Sequence, residues 1–387
     1  MVNETAGRKA ALVCGSVAYD TILVFPDRFQ AHLLPDKLHM LNVSFLVPEM
    51  RREFGGCAAN IAYGLHLLGD AGLAMATVGD DFEPYRRRML AKGINVDCIK
   101  VVDGTFTAQA FITTDIDHNQ INAFHPGAMQ YAHLNTISDA AGRGAASVGV
   151  AARGVAARGV ASRGAAERGT SAGGAGTIGA GAAAGAGGAI GAGATGAGAA
   201  ADAGGAIGAG TAFRVVLGVV APDGRQGMIE HAAQFSAAEI PFIFDPGQGL
   251  PMFGAEELAV FIDQATWVAV NDYEWEVMQQ KTGMTAAEIV AKVDALIVTR
   301  GPEGSTIYTQ ERAWTIPAVK PRAVVDPTGC GDAYRAGLIH GLLQGLDWET
   351  TGRMASLMGS IKIESRGPQN HDFTKAEFDR RYQDNFG

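Results

Sequence analysis

The chain has 387 residues and a formal net charge of −9, enough length for one large core or two domains. Its acidic balance, and the lack of a basic run interleaved with aromatics, exclude a nucleic-acid binder. Cys14, Cys57, Cys98 and Cys330 are scattered with no Cys-x-x-Cys pair, which excludes a zinc cluster or disulfide framework and reads as reduced thiols of a cytoplasmic protein.

The N-terminal segment is polar and lacks a signal peptide's apolar core. The long weakly polar stretch further on is Gly/Ala-rich and makes a poor membrane span, so no membrane partner is expected. Ala10 to Asp20 reads as a buried parallel strand ending in small residues and one carboxylate. Ligands of open α/β sheets sit at the carboxyl ends of strands, which places Asp20 to accept hydrogen bonds from substrate hydroxyls. Taken alone it is equally a solvated loop aspartate. Partial alternation over 36–54 suggests strands of a small second sheet. Gly55-Gly56-Cys57-Ala58-Ala59-Asn60 then forms a turn that opens a helix over 61–69. A strand follows at 73–81, and a helix at 85–92 whose Arg86-Arg87-Arg88 run reads as a solvated face. Paired strands at 106–112 and 119–124 complete the small sheet, expected to form a lid from about 36–54 and 104–125. Gln109, Phe124 and His125 are candidates to line a pocket beneath it, or ordinary strand residues facing core or solvent.

A short helix is expected over 129–138, after which composition breaks. From about Asp139 to Ala212 the chain is almost all Ala and Gly, opening with a five-residue repeat of the form Ala-Ala-Arg-Gly-Val. That period fits neither helix nor strand, and glycine is not at every third position as collagen requires. Alanine offers little to bury and glycine costs the most backbone entropy to order. The expectation is a flexible insert at 139–212 within one domain formed by 1–138 and 213–387. Gly191-x-Gly193-x-x-Gly196 formally matches a dinucleotide fingerprint, but no strong strand precedes it and it is discarded. A helix-to-strand loop lies at the sheet end away from the strands' carboxyl termini, so deleting 140–211 is expected to spare the site.

Strand and helix then alternate: 213–221, 224–235, 242–244, 256–264 and 266–270. Asn271-x-x-Glu274 opens the next helix, either as a capping box or as a holder of hydrated Mg2+ near phosphates. A buried strand at 295–299 leads into a glycine loop carrying Gly301 and Gly304. Finally Ala323-Val324-Val325 reads as a strand running into a turn with Gly329 and Gly331, and a helix starts at about Asp332. Strand, glycine turn and helix start make an anion site, because the first helical N–H groups lack partners and the dipole favours negative charge. The Asp332 carboxylate at its rim repels a phosphate, so its work is on a proton: general base for a hydroxyl attacking a phosphoryl group. No P-loop motif or His-Arg-Asp signature occurs.

Asp326-Pro327-Thr328-Gly329-Cys330-Gly331-Asp332 with its small/apolar helix, Gly55-Gly56-x-x-x-Asn60, and Gly15-Ser16-x-x-x-Asp20 together resemble the PfkB/ribokinase family of carbohydrate and nucleoside kinases. The resemblance covers about 1–138 and 213–387. It implies a ribokinase-like three-layer α/β/α fold with a mostly parallel central sheet and a small β-sheet lid. The implied reaction is ATP-dependent phosphorylation of a nucleoside 5'-hydroxyl in purine salvage. Gly-Gly-Cys-Ala-Ala-Asn, where ribokinases usually carry Gly-Gly-Lys-Gly-Ala-Asn, resembles the adenosine-kinase-like branch and makes adenosine the first substrate. Ribose or fructose is the alternative acceptor, and a catalytically silent nucleoside-binding protein the alternative of another class. By resemblance Asp332 is the base and Gly329, Cys330 and Gly331 the anion hole, with Cys330 where many members carry Ala. Asp20, Gly55, Gly56 and Asn60 would hold the sugar, with Gln109 on the lid side. Asn271, Glu274, Thr299, Gly301 and Gly304 would border ATP, with Mg2+ held through water at Glu274. Asp326 and Thr328 would face the Ser365–Pro368 loop and a monovalent cation such as K+. A monomer or homodimer is expected.

Overall fold

The computed structural model describes residues 7–33, 43–117, 119–144 and 213–387. In chain order the elements begin with β1 (Arg8–Cys14), β2 (Ala18–Val24), α1 (Phe29–His32), β3 (Glu49–Gly55), α2 (Cys57–Leu67), β4 (Ala71–Val78), α3 (Glu83–Ala91), β5 (Ile99–Val101), β6 (Ala108–Thr114), β7 (Gln120–His125) and α4 (Ile137–Gly144). They continue with β8 (Phe213–Val220), α5 (Arg225–Ala237), β9 (Phe242–Phe244), α6 (Ala255–Gln264), β10 (Trp267–Asn271), α7 (Asp272–Thr282), α8 (Ala286–Val290), β11 (Ala295–Thr299), β12 (Ser305–Tyr308) and β13 (Ala313–Ile316). Three helices close the chain: α9 (Cys330–Gln344), α10 (Trp348–Ile363) and α11 (Lys375–Phe386).

Nine strands form the large sheet in the order β13-β12-β11-β10-β9-β8-β1-β4-β5. Its pairings are parallel from β5 through to β11, and β12 and β13 extend that edge antiparallel. Near-continuous apolar strands are what a sheet covered on both faces requires. Alternate residues of β1 divide accordingly. Ala11 and Val13 join a core with Ile61 and Leu65 of α2, Leu338 of α9 and Leu357 of α10. Ala10 and Leu12 join a second core with Phe235 of α5, Phe261 of α6 and Met278 of α7. The three-layer expectation holds. A four-stranded second sheet, β3-β2-β6-β7, supplies the lid-type sheet.

Several boundaries differ from the expectation. The run from Ala10 to Asp20 is two strands in two sheets, broken at Gly15-Ser16-Val17, where Ser16 N–H turns to Pro222 O at 3.1 Å. Asp20 therefore sits inside β2 of the small sheet and does not end a strand of the large one. Of the lid segment 36–54, only residues from Glu49 are strand, residues 43–48 are irregular, and 36–42 lie outside the described residues. Ala323-Val324-Val325 is not a strand. Val324 and Val325 are 74% and 46% exposed, and Val325 N–H bonds Ile363 O at the end of α10 instead of a neighbouring strand. The helix expected over 129–138 is a 3-10 helix over Gly127–Leu134, and a separate helix, α4, follows from Ile137 to Gly144; residues 145–212 lie outside the described residues. Among the described residues no helix is long and apolar enough to cross a membrane.

Candidate active site

Two helix N-termini meet at the site, those of α2 and α9. Helix α2 begins after Gly56, whose φ is +93° and whose Cβ, were there one, would lie 2.6 Å from Ala18 N, Ser16 O and Val17 Cα. Only glycine fits. The preceding Gly55 lies against Asp20, since an added Cβ would meet Asp20 Oδ2 at 2.4 Å. Ser16 Oγ accepts the Cys57 N–H at 3.1 Å and so serves from a distance as the cap of α2.

The first turn of α2 carries Asn60, which is buried. Its Nδ2 donates to Asp332 Oδ2 at 2.8 Å, while its Oδ1 accepts Gln369 Nε2 at 2.8 Å. Gln369 Nε2 also donates to Tyr85 Oη at 2.6 Å, and Tyr85 Oη donates to Gly55 O at 2.7 Å. That chain of contacts fixes the Asn60 amide with its NH2 toward the carboxylate. Gln369 and Tyr85 were not singled out from sequence, and neither carries a local pattern that would have flagged it.

Helix α9 begins two residues before the expected start, with Gly329 as N-cap at φ +79° and Asp332 in the first turn. The Cys330 N–H donates to Pro327 O at 3.1 Å. Among the described residues the amides of Gly329, Gly331 and Asp332 meet no acceptor. A Cβ on Gly331 would touch nothing within 4 Å, so open space lies above this turn.

Burial pushes the Asp332 carboxyl up to about 7; the Asn60 hydrogen bond and Arg335 oppose this, and Asp245 and Asp20 add to it. Burial likewise pushes Asp20 up to about 6, helped by Glu53 and Asp326. Arg335, one turn along α9, grips Asp245 through Nε and Nη2, both at 3.0 Å, with both side chains buried. Asp245 directly follows β9, and Glu274 lies near the pair, its carboxyl raised by burial and by Asp245. An arginine on an otherwise small and apolar helix was the available signal for it.

The nucleotide-side candidates gather at the carboxyl ends of β10 and β11, two neighbouring interior strands of the large sheet. Asn271 caps α7: its side chain accepts Glu274 N–H at 2.8 Å, and Glu274 Oε2 accepts Asn271 N–H at 2.8 Å. The capping-box alternative is thus realised. Thr299 is the register partner of Asn271 at the ends of β10 and β11. Gly301 and Gly304 follow in the next turn at φ +52° and +88°, the latter against Ile316 O. Gln109 is not brought to Asp20. It is the register partner of Tyr19 on one side and of His125 on the other, on the opposite face from Asp20, Ala110 and Phe124, and Gln109 Nε2 donates to Asp81 Oδ2 at 3.3 Å. Phe124 and His125 are exposed.

Asp326 contacts the Ser365–Pro368 loop, and Thr328 contacts Asp326. Asp326 Oδ1 accepts Thr328 N–H and Oδ2 accepts Gly367 N–H, both at 2.9 Å. Burial pushes Asp326 upward, but these two N–H groups and Lys362 hold it below its ordinary value.

Residues 16–142 and 183–375 match the pattern of the pfkB family carbohydrate kinases. The chain belongs to the pfkB family. As a family member it is an ATP-dependent phosphotransferase. The chain is similar to the Burkholderia thailandensis nucleoside kinase solved in complex with inosine, at 41% identity and a TM-score of 0.72, covering 97% of this chain and 98% of that one. It is also 27% identical to the nucleoside kinase of Methanothermobacter thermautotrophicus, over 97% of this chain and 96% of that protein. The nucleoside kinase of Methanocaldococcus jannaschii is 26% identical over 85% of each chain.

Proposed function

We propose that the protein transfers the γ-phosphoryl group of ATP to the 5'-hydroxyl of a purine nucleoside, with adenosine and inosine as acceptors. The observation that carries this reading is the 2.8 Å contact between Asn60 and Asp332, which joins two motif helices 272 residues apart in sequence. It puts a carboxylate with an affinity for protons near neutrality beside the Asp20–Gly55–Gly56 corner. In this reading Asp20, Gly56 and Asn60 hold the ribose hydroxyls. Asp332 takes the proton as the 5'-oxygen bonds to the γ-phosphorus and the bridging P–O bond breaks, releasing ADP. The Gly329, Gly331 and Asp332 amides receive the charge of the moving group. A base with a pKa near the working pH is the efficient case.

Asn271, Glu274, Thr299, Gly301 and Gly304 border ATP in the same reading. Among the described residues no three His, Cys, Asp or Glu side chains converge to hold a metal directly. Glu274, already capping α7, suits contact with Mg2+ through the ion's own waters, and bound there Mg2+ would neutralise phosphate charge. The similarity to a protein crystallised with inosine supports a nucleoside over a simple sugar. None of the four cysteines is in a disulfide, in keeping with an ATP-rich cytoplasmic setting and recovery of purine nucleosides as nucleotides. An ATP-consumption assay against adenosine, inosine, cytidine, ribose and fructose tests the assignment. ADP release with the purine nucleosides is expected; release with ribose or fructose alone, or with no acceptor, would overturn it.

A further inference from the structure

Lys362 lies in the last turn of α10 with no exposed surface. Its Nζ donates to Asp326 O at 2.7 Å and to Ser365 O at 3.1 Å. These carbonyls belong to the two segments that family resemblance assigns to a monovalent cation. The donor set there is no longer open. Both Asp326 carboxylate oxygens already accept backbone N–H groups, and Arg51 Nη2 approaches Oδ2 at 3.6 Å. A K+ ion would need the same carbonyl oxygens that the ammonium holds, and would lie beside a like charge. The residues therefore do not fit a bound K+.

We propose that the Lys362 ammonium stands in for the monovalent cation, so that this chain neither binds nor needs K+. The proposal rests on the kinase reading of the site. An ammonium and K+ both seek converging carbonyl oxygens, and a cation at a helix C-terminus is favoured by the dipole. The consequence is positional. Lys362 ties Asp326 to Ser365, the Asp326 carboxylate ties to Gly367, and Gly329 packs on Pro368, where an added Cβ would come within 2.6 Å. The turn that presents the free amides of α9 is held from below by a charge supplied by the chain itself. Lys362 is a positioning residue in this account and touches no substrate.

The test compares wild type and Lys362→Met in K+, NH4+, Na+ and choline chlorides at equal ionic strength, reading both Tm and turnover. Wild type is expected to show the same Tm and the same turnover in every salt. Lys362→Met is expected to lose about 10²-fold in turnover, the scale of a reacting group displaced by about 1 Å. K+ or NH4+, but not choline, is expected to restore much of that loss and to raise the variant's Tm, since an ion that binds only the folded chain stabilises it. A wild-type Tm or turnover that rises with K+ over choline overturns the proposal, as does a folded variant that neither K+ nor NH4+ rescues. If Lys362→Met does not fold, the wild-type comparison decides alone. The Tm readings need no substrate, so a wild type that phosphorylates no acceptor would count against the kinase reading and leave them standing.

Discussion

Replacing Asn60 by leucine should move the pH at which the enzyme switches on. Asn60 Nδ2 donates to Asp332 Oδ2 at 2.8 Å, and a donor of this kind favours the ionised carboxylate. Hydrogen bonds to charged groups contribute about 1.5–3 kcal/mol, and one pKa unit corresponds to about 1.36 kcal/mol, so its loss shifts the carboxyl upward by about one to two units. The starting point is about 7, raised by burial that the substitution leaves in place. The base works only when ionised, so kcat/KM in wild type should rise with pH through about 7 and level off above it. In Asn60→Leu the same limb should lie about one to two units more alkaline, so the loss is largest at neutral pH and partly recovers in base. The loss that persists on the alkaline plateau measures any direct contact of Asn60 with the sugar. The assay is initial rate at low nucleoside across this range, with Tm followed in parallel. A variant that is slower at every pH, with its limb unmoved, would refute the coupling of Asn60 to Asp332.

The buried Arg335–Asp245 pair makes Arg335→Met costly: about 3–5 kcal/mol of stability in urea denaturation, because Asp245 is left charged and unpaired, and a loss under ~1 kcal/mol would contradict this. Gly331→Ala should fold normally or gain up to about 1 kcal/mol, since a Cβ there touches nothing within 4 Å and alanine favours a helix. Its turnover should nevertheless fall, because the methyl enters the space proposed for the phosphoryl group; unchanged kcat and KM would show that this space is not used. Joining Gly144 to Phe213 by a short linker should leave turnover nearly intact, because β8 starts opposite Arg8, at the end of β1 remote from Ser16 and Cys57. A deletion variant that folds but loses most of its turnover would show that the segment serves the site.

The three-layer order was legible because buried parallel strands read as short apolar runs between helical stretches, and 213–220 and 295–299 are of that kind. The glycine turns could be located from sequence too, since Gly56 and Gly329 adopt backbone conformations that other residues rarely reach. Apolar content alone misled at Ala323-Val324-Val325, where two β-prone valines pair with no strand. It also hid the change of sheet at Gly15-Ser16-Val17, since both flanking strands are apolar. The contacts that orient the site were beyond the reach of periodicity. Gln369 reaches Asn60 across 309 residues, and Arg335 reaches Asp245 across 90. Such partners come together through topology and leave no local trace. The side a lid residue faces was hidden for a simpler reason: the period of two assigns faces only once register is known, and register puts Phe124 on the face of Asp20 and Gln109 on the other.

The central claim is that Asp332 removes the acceptor's proton, and the most direct measurement is the turnover of Asp332→Asn with adenosine and inosine. The side chain is nearly isosteric and can stay beside Asn60, so the variant should fold and bind nucleoside as wild type does. Its kcat should fall by about 10²–10⁴-fold and lose the limb near neutral pH. A kcat close to wild type, with the pH profile unchanged, would contradict the account.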